Sequence, residues 1–314
     1  MKHFLQLTDL NRDQGQWLMV RAAKLKEMRK QGSMEQTLTG KTLGMLFDKA
    51  STRTRVSFET GMFQLGGHAV FLHSSTSQLG RGEAVADSAR VLSSMVDIIT
   101  IRTFSHEMVE QFAKHSAVPV INALTDYTHP CQILADVMTF EEHRNNISNK
   151  TVAWIGDGNN MAHSWINGAA LFGYHLRLAC PEGYQPDSIL VTAARTSGAS
   201  ITLTTDPKEA AERADLVTTD VWSSMGQESE QREREVAFAN FQVDGRLMSL
   251  AKPTALFMHC LPAHRGEEVT AEVIDGPQSV VWSEAENRLH TQKALLELLL
   301  TPKAQQGEQQ IESV

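Results

Sequence analysis

Cysteine is scarce in this chain. Its 314 residues hold three, Cys131, Cys180 and Cys260. So small and odd a number argues against a disulfide framework and for a reducing compartment, here the cytoplasm. Long apolar runs are missing too: none approaches the ~18 residues of a membrane-spanning helix. Met1 to Leu10 has no apolar core of signal-peptide length. Positive charge is in deficit, with 29 Lys and Arg against 37 Asp and Glu and a net charge of -8. That balance argues against nucleic acid or an anionic membrane as the main partner. It leaves room for a small anionic ligand, because a local cluster of arginines outweighs net charge there. No internal repeat or low-complexity tract interrupts the sequence.

Hydrophobic residues make up 41% and charged residues 21%, as in an ordinary globular protein. The length suggests two domains, able to bury roughly three quarters of the unfolded surface. After a helix around Gln14 to Lys30, apolar runs near 42–47, 68–72, 97–101 and 118–122 read as strands. Helical spacing appears near 52–65, 83–95 and 105–116, and again after His129, where Pro130 suits a first helical turn. The polar stretch Arg144 to Lys150 looks like a boundary. Beyond it, strands are expected near 151–155, 175–179, 200–204, 215–219, 254–257 and 279–282, with helices near 160–171, 186–196 and 285–300. Gln227 to Glu235 reads as a solvated loop leading into a helix, and the tail after Pro302 as frayed. Such alternation predicts an α/β fold of two domains, each a parallel sheet flanked by helices, with the active site in the cleft between them. The expected divisions are 1–148, 149–284 and a C-terminal helix, 285–314, packing back on the first domain.

The informative residues fall at predicted strand ends. Ser51-Thr52-Arg53-Thr54-Arg55 joins the first strand to a helix carrying Phe58, Met62 and Leu65 on one face. Hydroxyls, guanidinium groups and unpaired backbone N–H groups converge at that helix start, which suits a phosphate site or, equally, a helix cap beside solvated arginines. Arg102 ends the strand Asp97 to Ile101 and reads as either an anion ligand or half of a surface ion pair. His129-Pro130-Cys131-Gln132 again opens a helix. A neutral imidazole there can donate to a carbonyl oxygen and a Gln amide can serve an NH2 group, or the histidine simply caps the helix. Gly156-Asp157-Gly158-Asn159-Asn160 invites a dinucleotide reading, but Met161 stands where the third glycine belongs. The alternative is a tight turn whose Asn side chains face a carboxylate. Asp220, followed by Ser223-Ser224-Met225-Gly226, suits a cationic amino group or an Asx turn. His259-Cys260-Leu261-Pro262 follows another strand. With His129 and Cys131 it raises a metal site of unfamiliar spacing, and Cys260 raises a thiol nucleophile. Arg288, after Glu284-Ala285-Glu286-Asn287, taken alone is a solvated residue opening the last helix.

Taken together, Ser-Thr-Arg-Thr-Arg at 51–55, His-Pro-Cys-Gln at 129–132 and His-Cys-Leu-Pro at 259–262 resemble the aspartate/ornithine carbamoyltransferase family in order and distance. The resemblance runs from the strand before Ser51 through Arg288. Ser224-Met225-Gly226 with Asp220 points to ornithine as second substrate. The absence of lysine from Ser77-Gln78-Leu79-Gly80-Arg81-Gly82 departs from the aspartate pattern. The resemblance implies that the carbamoyl group of carbamoyl phosphate passes to L-ornithine, with no cofactor and no metal. It implies that Ser51, Thr52, Arg53 and Thr54 hold phosphate, with Arg102 assisting. His129, Pro130, Cys131 and Gln132 would serve the carbamoyl end. Cys260 and Leu261 would lie between the substrates, with Arg288 closing over the carbamoyl group. Asn160, in preference to Asn159, would hold the ornithine carboxylate, and Asp220, Ser224 and Met225 its amino-acid end. Arg102, His129 and Cys260 are the implied catalytic residues. The resemblance also implies a homotrimer in which Gln78 reaches a neighbouring subunit's site.

Overall fold

The computed structural model describes residues 1–73, 82–223 and 230–301. The chain divides into two compact units, Met1–Ala135 with Asn287–Val314, and Asp136–Glu286.

In the first unit, α1 (Arg12–Lys30) precedes β1 (Thr42–Phe47), α2 (Thr52–Gln64), β2 (His68–His73), α3 (Val85–Ser93), β3 (Ile98–Arg102), α4 (His106–His115) and β4 (Val120–Leu124). The strands form a parallel sheet in the order β2-β1-β3-β4. Every residue of β3 is buried, and β1 is buried from Leu43 onward. That is why both read as mainly apolar runs: strands covered on both faces leave few positions for water. Leu46, Ile99, Ile101, Val109, Phe112 and Val120 are buried in one apolar cluster. Helix α5 (Pro130–Arg144) follows β4, and the division between units falls within it.

The second unit holds β5 (Thr151–Ile155), α6 (Asn160–Phe172), β6 (His175–Ala179), α7 (Ser188–Thr196), β7 (Ser200–Thr204), α8 (Pro207–Ala211) and β8 (Leu216–Thr219). It continues with α9 (Gln231–Ala237), α10 (Gly245–Leu250), β9 (Leu256–His259) and α11 (Ala271–Ile274). Its parallel sheet runs β7-β6-β5-β8-β9. Helix α6 stops at Gly173, whose φ of 74° is the left-handed closure that glycine adopts without penalty. A chain of aromatic contacts, Tyr184–Phe238–Trp222 and Phe238–Phe241, runs through the apolar core of this unit.

One expected strand is absent. The run 279–282 contributes a single bridge, Ser279 to Phe257, and helix α12 (Val281–Leu300) starts inside it. Val280 gives its N–H to Phe257 O at 3.0 Å, while its own carbonyl accepts Glu284 N–H at 2.9 Å. That second bond closes a helical turn, so the β-branched pair Val280-Val281 is used as buried helix-entry packing, not as a ladder. Arg288 therefore lies two turns inside α12 and does not open it. The short helices α8, α10 and α11 carry too few residues for a periodic signal.

Candidate active site

The sheet of the first unit sends three adjacent strands, β1, β3 and β4, to one edge with their carboxyl ends together. Each ends at a group expected to bind substrate. Ser51 caps α2: its hydroxyl accepts Thr54 N–H at 3.3 Å. The first-turn N–H groups of α2 thus lie beside Arg53, with the helix dipole behind them. Arg102 is the last residue of β3, opposite Phe47 of β1, and is 7% exposed. Asp48 N–H bonds its carbonyl at 2.8 Å, and Asp48 also accepts the Thr103 hydroxyl. His129 ends the loop after β4, where the Thr125 and Thr128 backbones bond each other and Asn122 donates to Thr128 at 3.1 Å.

Arg288 completes this set from α12. Its Nη1 donates to Gln132 Oε1 at 2.6 Å and its Nη2 to Thr54 Oγ1 at 3.3 Å. It is 2% exposed, so the solvated reading taken from the sequence is overturned. A guanidinium this deep must be hydrogen-bonded, and α12 is buried nearly all round, with Asn287, His290, Gln292 and Lys293 also inside. Burial holds the His129 imidazole well below its ordinary pKa, and the charges of Arg288, Arg102 and Arg53 push it the same way. His129 is accordingly a neutral ring among three cations: it can serve as a hydrogen-bond donor to an oxygen while the arginines meet an anion. Cys131 is fully buried, donates to Asn122 O at 3.5 Å, and burial pushes its thiol up to about 12.

The second unit repeats the arrangement at the ends of β5, β8 and β9. Asn159 caps α6, accepting Met161 N–H at 2.9 Å and Ala162 N–H at 3.2 Å, and its Nδ2 donates to Asp220 Oδ2 at 3.0 Å. Asn160 is the first residue of the helix. Asp220, just past β8, also accepts Val221 N–H at 2.8 Å and the Cys260 thiol at 3.2 Å through Oδ1. Burial, then the Asp220 and Glu284 charges, drive the Cys260 thiol well above its ordinary pKa. At neutral pH Cys260 is a protonated donor, which removes it as a thiolate base or nucleophile.

Two residues that the sequence did not single out shape the Cys260 loop. Glu284 accepts His259 N–H at 2.9 Å. Glu268, fully buried, accepts His264 N–H at 2.6 Å and meets His259 Nε2 at 3.1 Å. His259 Nδ1 accepts Leu261 N–H at 2.9 Å, so its proton sits on Nε2 and points at Glu268. Leu261 itself has φ 58°, a strained backbone for a branched residue. Asp220, His259 and Cys260 offer ligand atoms within 4.8 Å of one another. The imidazole nitrogens are both committed, however, so this set is a hydrogen-bond scaffold and not a metal triad. Acidic residues in a stretch as polar as Arg265-Gly266-Glu267-Glu268 look solvated in sequence, which is why Glu268 escaped notice.

The glycines of Gly156-Asp157-Gly158 also find a packing explanation. A Cβ on Gly158 would stand 2.2 Å from Pro186 N and 2.4 Å from Gln185 C, and Gly158 N–H donates to Tyr184 O at 2.8 Å. The glycine serves close backbone approach within the unit, and a dinucleotide is not needed to account for it. Asp157 accepts Arg234 Nη1 at 2.7 Å, and Arg234 Nη1 also donates to Trp222 O at 3.0 Å. Gln78, Ser224 and Met225 lie outside the described residues.

Comparison with known proteins gives this geometry its lineage. Residues 2–142 match the family model of the aspartate/ornithine carbamoyltransferase carbamoyl-P binding domain, and residues 148–299 that of the Asp/Orn binding domain. The chain belongs to the aspartate/ornithine carbamoyltransferase family. It is an enzyme of the carbamoyltransferase class. Similar curated proteins are the ornithine carbamoyltransferases of Nitrosococcus oceani and Halorhodospira halophila. The first is 60% identical, covering 95% of this chain and 97% of that protein. The second is 59% identical, covering 96% and 99%. The crystal structure of ornithine carbamoyltransferase from Burkholderia thailandensis superposes with a TM-score of 0.89 at 53% identity, covering 96% of this chain and 99% of that one. Within the family frame, the Ser51, Arg102 and His129 group lies in the carbamoyl-P match and the Asn160, Asp220 and Cys260 group in the Asp/Orn match. Arg288 falls in the second match by sequence, yet packs in the first unit with Thr54 and Gln132. Among the described residues no helix is long and apolar enough to cross a membrane.

Proposed function

We propose that the chain transfers the carbamoyl group of carbamoyl phosphate to the δ-amine of L-ornithine, yielding L-citrulline and phosphate. The observation that carries this reading is the buried Arg288, bonded to Thr54 of the Ser51-capped start of α2 and to Gln132, in the same unit as the buried Arg102 and His129 at the carboxyl ends of β3 and β4. Ser51, Thr52, Arg53 and Thr54 hold the phosphate with Arg102. His129 and Gln132 bind the carbamoyl oxygen and amide, backed by Pro130 and Cys131, and Arg288, bonded to Gln132, closes over the carbamoyl group. Asn160 takes the ornithine carboxylate and Asp220, with Ser224 and Met225, its amino-acid end. Cys260 and Leu261 contribute from their loop.

The amine lone pair forms the new C–N bond at the carbonyl carbon. The tetrahedral intermediate then passes the second amine proton to a phosphate oxygen, breaks its C–O bond, and phosphate leaves. Phosphate is a good leaving group, so catalysis rests on positioning and on donors aimed at the developing oxyanion: Arg102, His129 and the Thr54 hydroxyl. Paired charge-assisted bonds from Arg53 offset charge on the departing phosphate. A free alkyl amine has a pKa near ~10.4, so a proton must be lost before attack. The Cys260 thiol, itself protonated, does not take it, which leaves the Asp220 carboxylate or the phosphate. In this reading the enzyme works in the cytoplasm in arginine metabolism, as a homotrimer in which Gln78 enters a neighbouring subunit's site.

The test offers ornithine, aspartate, putrescine and N-acetylornithine in parallel with carbamoyl phosphate. Citrulline from ornithine alone is expected. Turnover with a different amine would keep the phosphate assignments and overturn those of Asp220 and Asn160.

A further inference from the structure

Arg288 is held from two sides. Gln132 and Thr54 take its Nη1 and Nη2 on the side of the proposed substrate groups. On the other side stands Gln292, one helical turn along α12 and 1% exposed. With its amide oriented so that neither end faces a like group, Gln292 Oε1 accepts Arg288 Nη2 at 2.9 Å and Nε at 3.2 Å. Its Nε2 donates to Ser57 Oγ at 2.5 Å. The Ser57 hydroxyl in turn donates to Arg53 O at 2.6 Å and reaches Thr54 O at 3.1 Å. A continuous buried chain thus links the backbone of the phosphate-binding turn, through Ser57 and Gln292, to the Arg288 guanidinium.

We propose that Gln292 is a positioning residue for carbamoyl phosphate binding: its amide, locked by Ser57, orients the Arg288 guanidinium toward Gln132 and Thr54. The inference rests on the reading of Arg288 as part of the carbamoyl phosphate site. Three features argue for it. The carbonyl engages Nε and Nη2 together, which fixes the plane of the guanidinium and not merely its position. The amide cannot rotate away, because its nitrogen needs the Ser57 acceptor in a site without water access. And an amide is neutral. A carboxylate there would hold the same plane while cancelling the charge that an anionic substrate needs.

The experiment is a double-mutant cycle on the full-length enzyme, reading KM for carbamoyl phosphate at saturating ornithine for Gln292→Met, Arg288→Ala and the pair. Met keeps the volume and removes both hydrogen bonds. Gln292→Met should raise that KM about 10-fold or more, as expected for loss of a hydrogen bond to a charged group, with little change in the KM of ornithine. The double variant should be no worse than Arg288→Ala, because Gln292 acts through Arg288. Additive losses, or equal losses for both substrates, would mark Gln292 as merely structural and overturn the proposal. A defective Arg288→Ala with a normal Gln292→Met would overturn it alone. An Arg288→Ala enzyme with unaltered carbamoyl phosphate KM would overturn the site reading and this proposal with it. Should Gln292→Met fail to fold, Ser57→Ala gives a second reading: freeing the amide should still raise the carbamoyl phosphate KM, and an unchanged value would contradict the mechanism.

Discussion

The Cys260 thiol donates its proton to Asp220 Oδ1 at 3.2 Å, while Asn159 holds the other carboxylate oxygen at 3.0 Å. Asp220 is thereby fixed at both oxygens and 8% exposed, a carboxylate oriented for a cation. These side chains and the Val221 N–H that also bonds Oδ1 are neutral, so an ammonium group could still pair with it.

A thiol held protonated in this way should be a poor nucleophile. Alkylation of Cys260 by iodoacetamide should be slow at pH 7 and should keep rising beyond pH 9 without a plateau, since burial and the Asp220 charge raise its pKa. Rapid labelling with a midpoint near or below neutral pH would contradict the donor role.

Asn159 and Asn160 should separate cleanly. Asn159→Ala removes the α6 cap and one Asp220 partner, so it should cost about 0.5–2 kcal/mol of stability and also weaken ornithine. Asn160→Ala should weaken ornithine without a comparable drop in melting temperature. The opposite pattern would exchange their roles.

Gly158→Ala should destabilise the protein by about 1–3 kcal/mol or more, because its Cβ would meet backbone atoms that cannot yield. A thermal melt checks this, and an unchanged melting temperature would show that the 184–186 segment gives way.

Acid should act through buried histidines. Burial, then Lys293 and Lys26, hold the His290 imidazole down to about 3. Between that value and the unfolded pKa near ~6.5, the unfolded chain binds a proton that the folded chain refuses. Stability should therefore fall as pH drops below ~6.5, by about 1.4 kcal/mol per pH unit for this group. His129 acts in the same direction. Urea unfolding at pH 7 and pH 5 should show the loss, and His290→Gln should lessen it. An identical pH dependence in the variant would remove His290 from the account.

Much of this was readable before any coordinates. The start of α2 at Ser51 to Arg55 was legible because a capping hydroxyl followed by helical apolar spacing is local in sequence. Strands β3, β4, β8 and β9 were visible because buried parallel strands are short apolar runs, although β4 and β9 each run two residues further than expected, to Leu124 and His259. What stayed hidden depends on partners distant in sequence. Arg288 looks solvated until Gln132 and Thr54 come to it. Glu268 and Glu284 look like surface acids until the His259 imidazole and backbone occupy them. Val280-Val281 looks like a strand because β-branched residues favour one, and only the Val280–Glu284 bond turns the chain into α12.

The central claim is that the two substrates are held by separate groups, carbamoyl phosphate by the Arg53 set and ornithine by the Asp220 set. It is tested most directly by measuring both KM values in Arg53→Ala and Asp220→Asn. Arg53→Ala should lose at least the ~1.5–3 kcal/mol of a charged hydrogen bond on carbamoyl phosphate. Asp220→Asn should weaken ornithine and spare carbamoyl phosphate. Equal losses for both substrates in either variant, or an Arg53→Ala enzyme with unaltered turnover and carbamoyl phosphate affinity, would contradict the account.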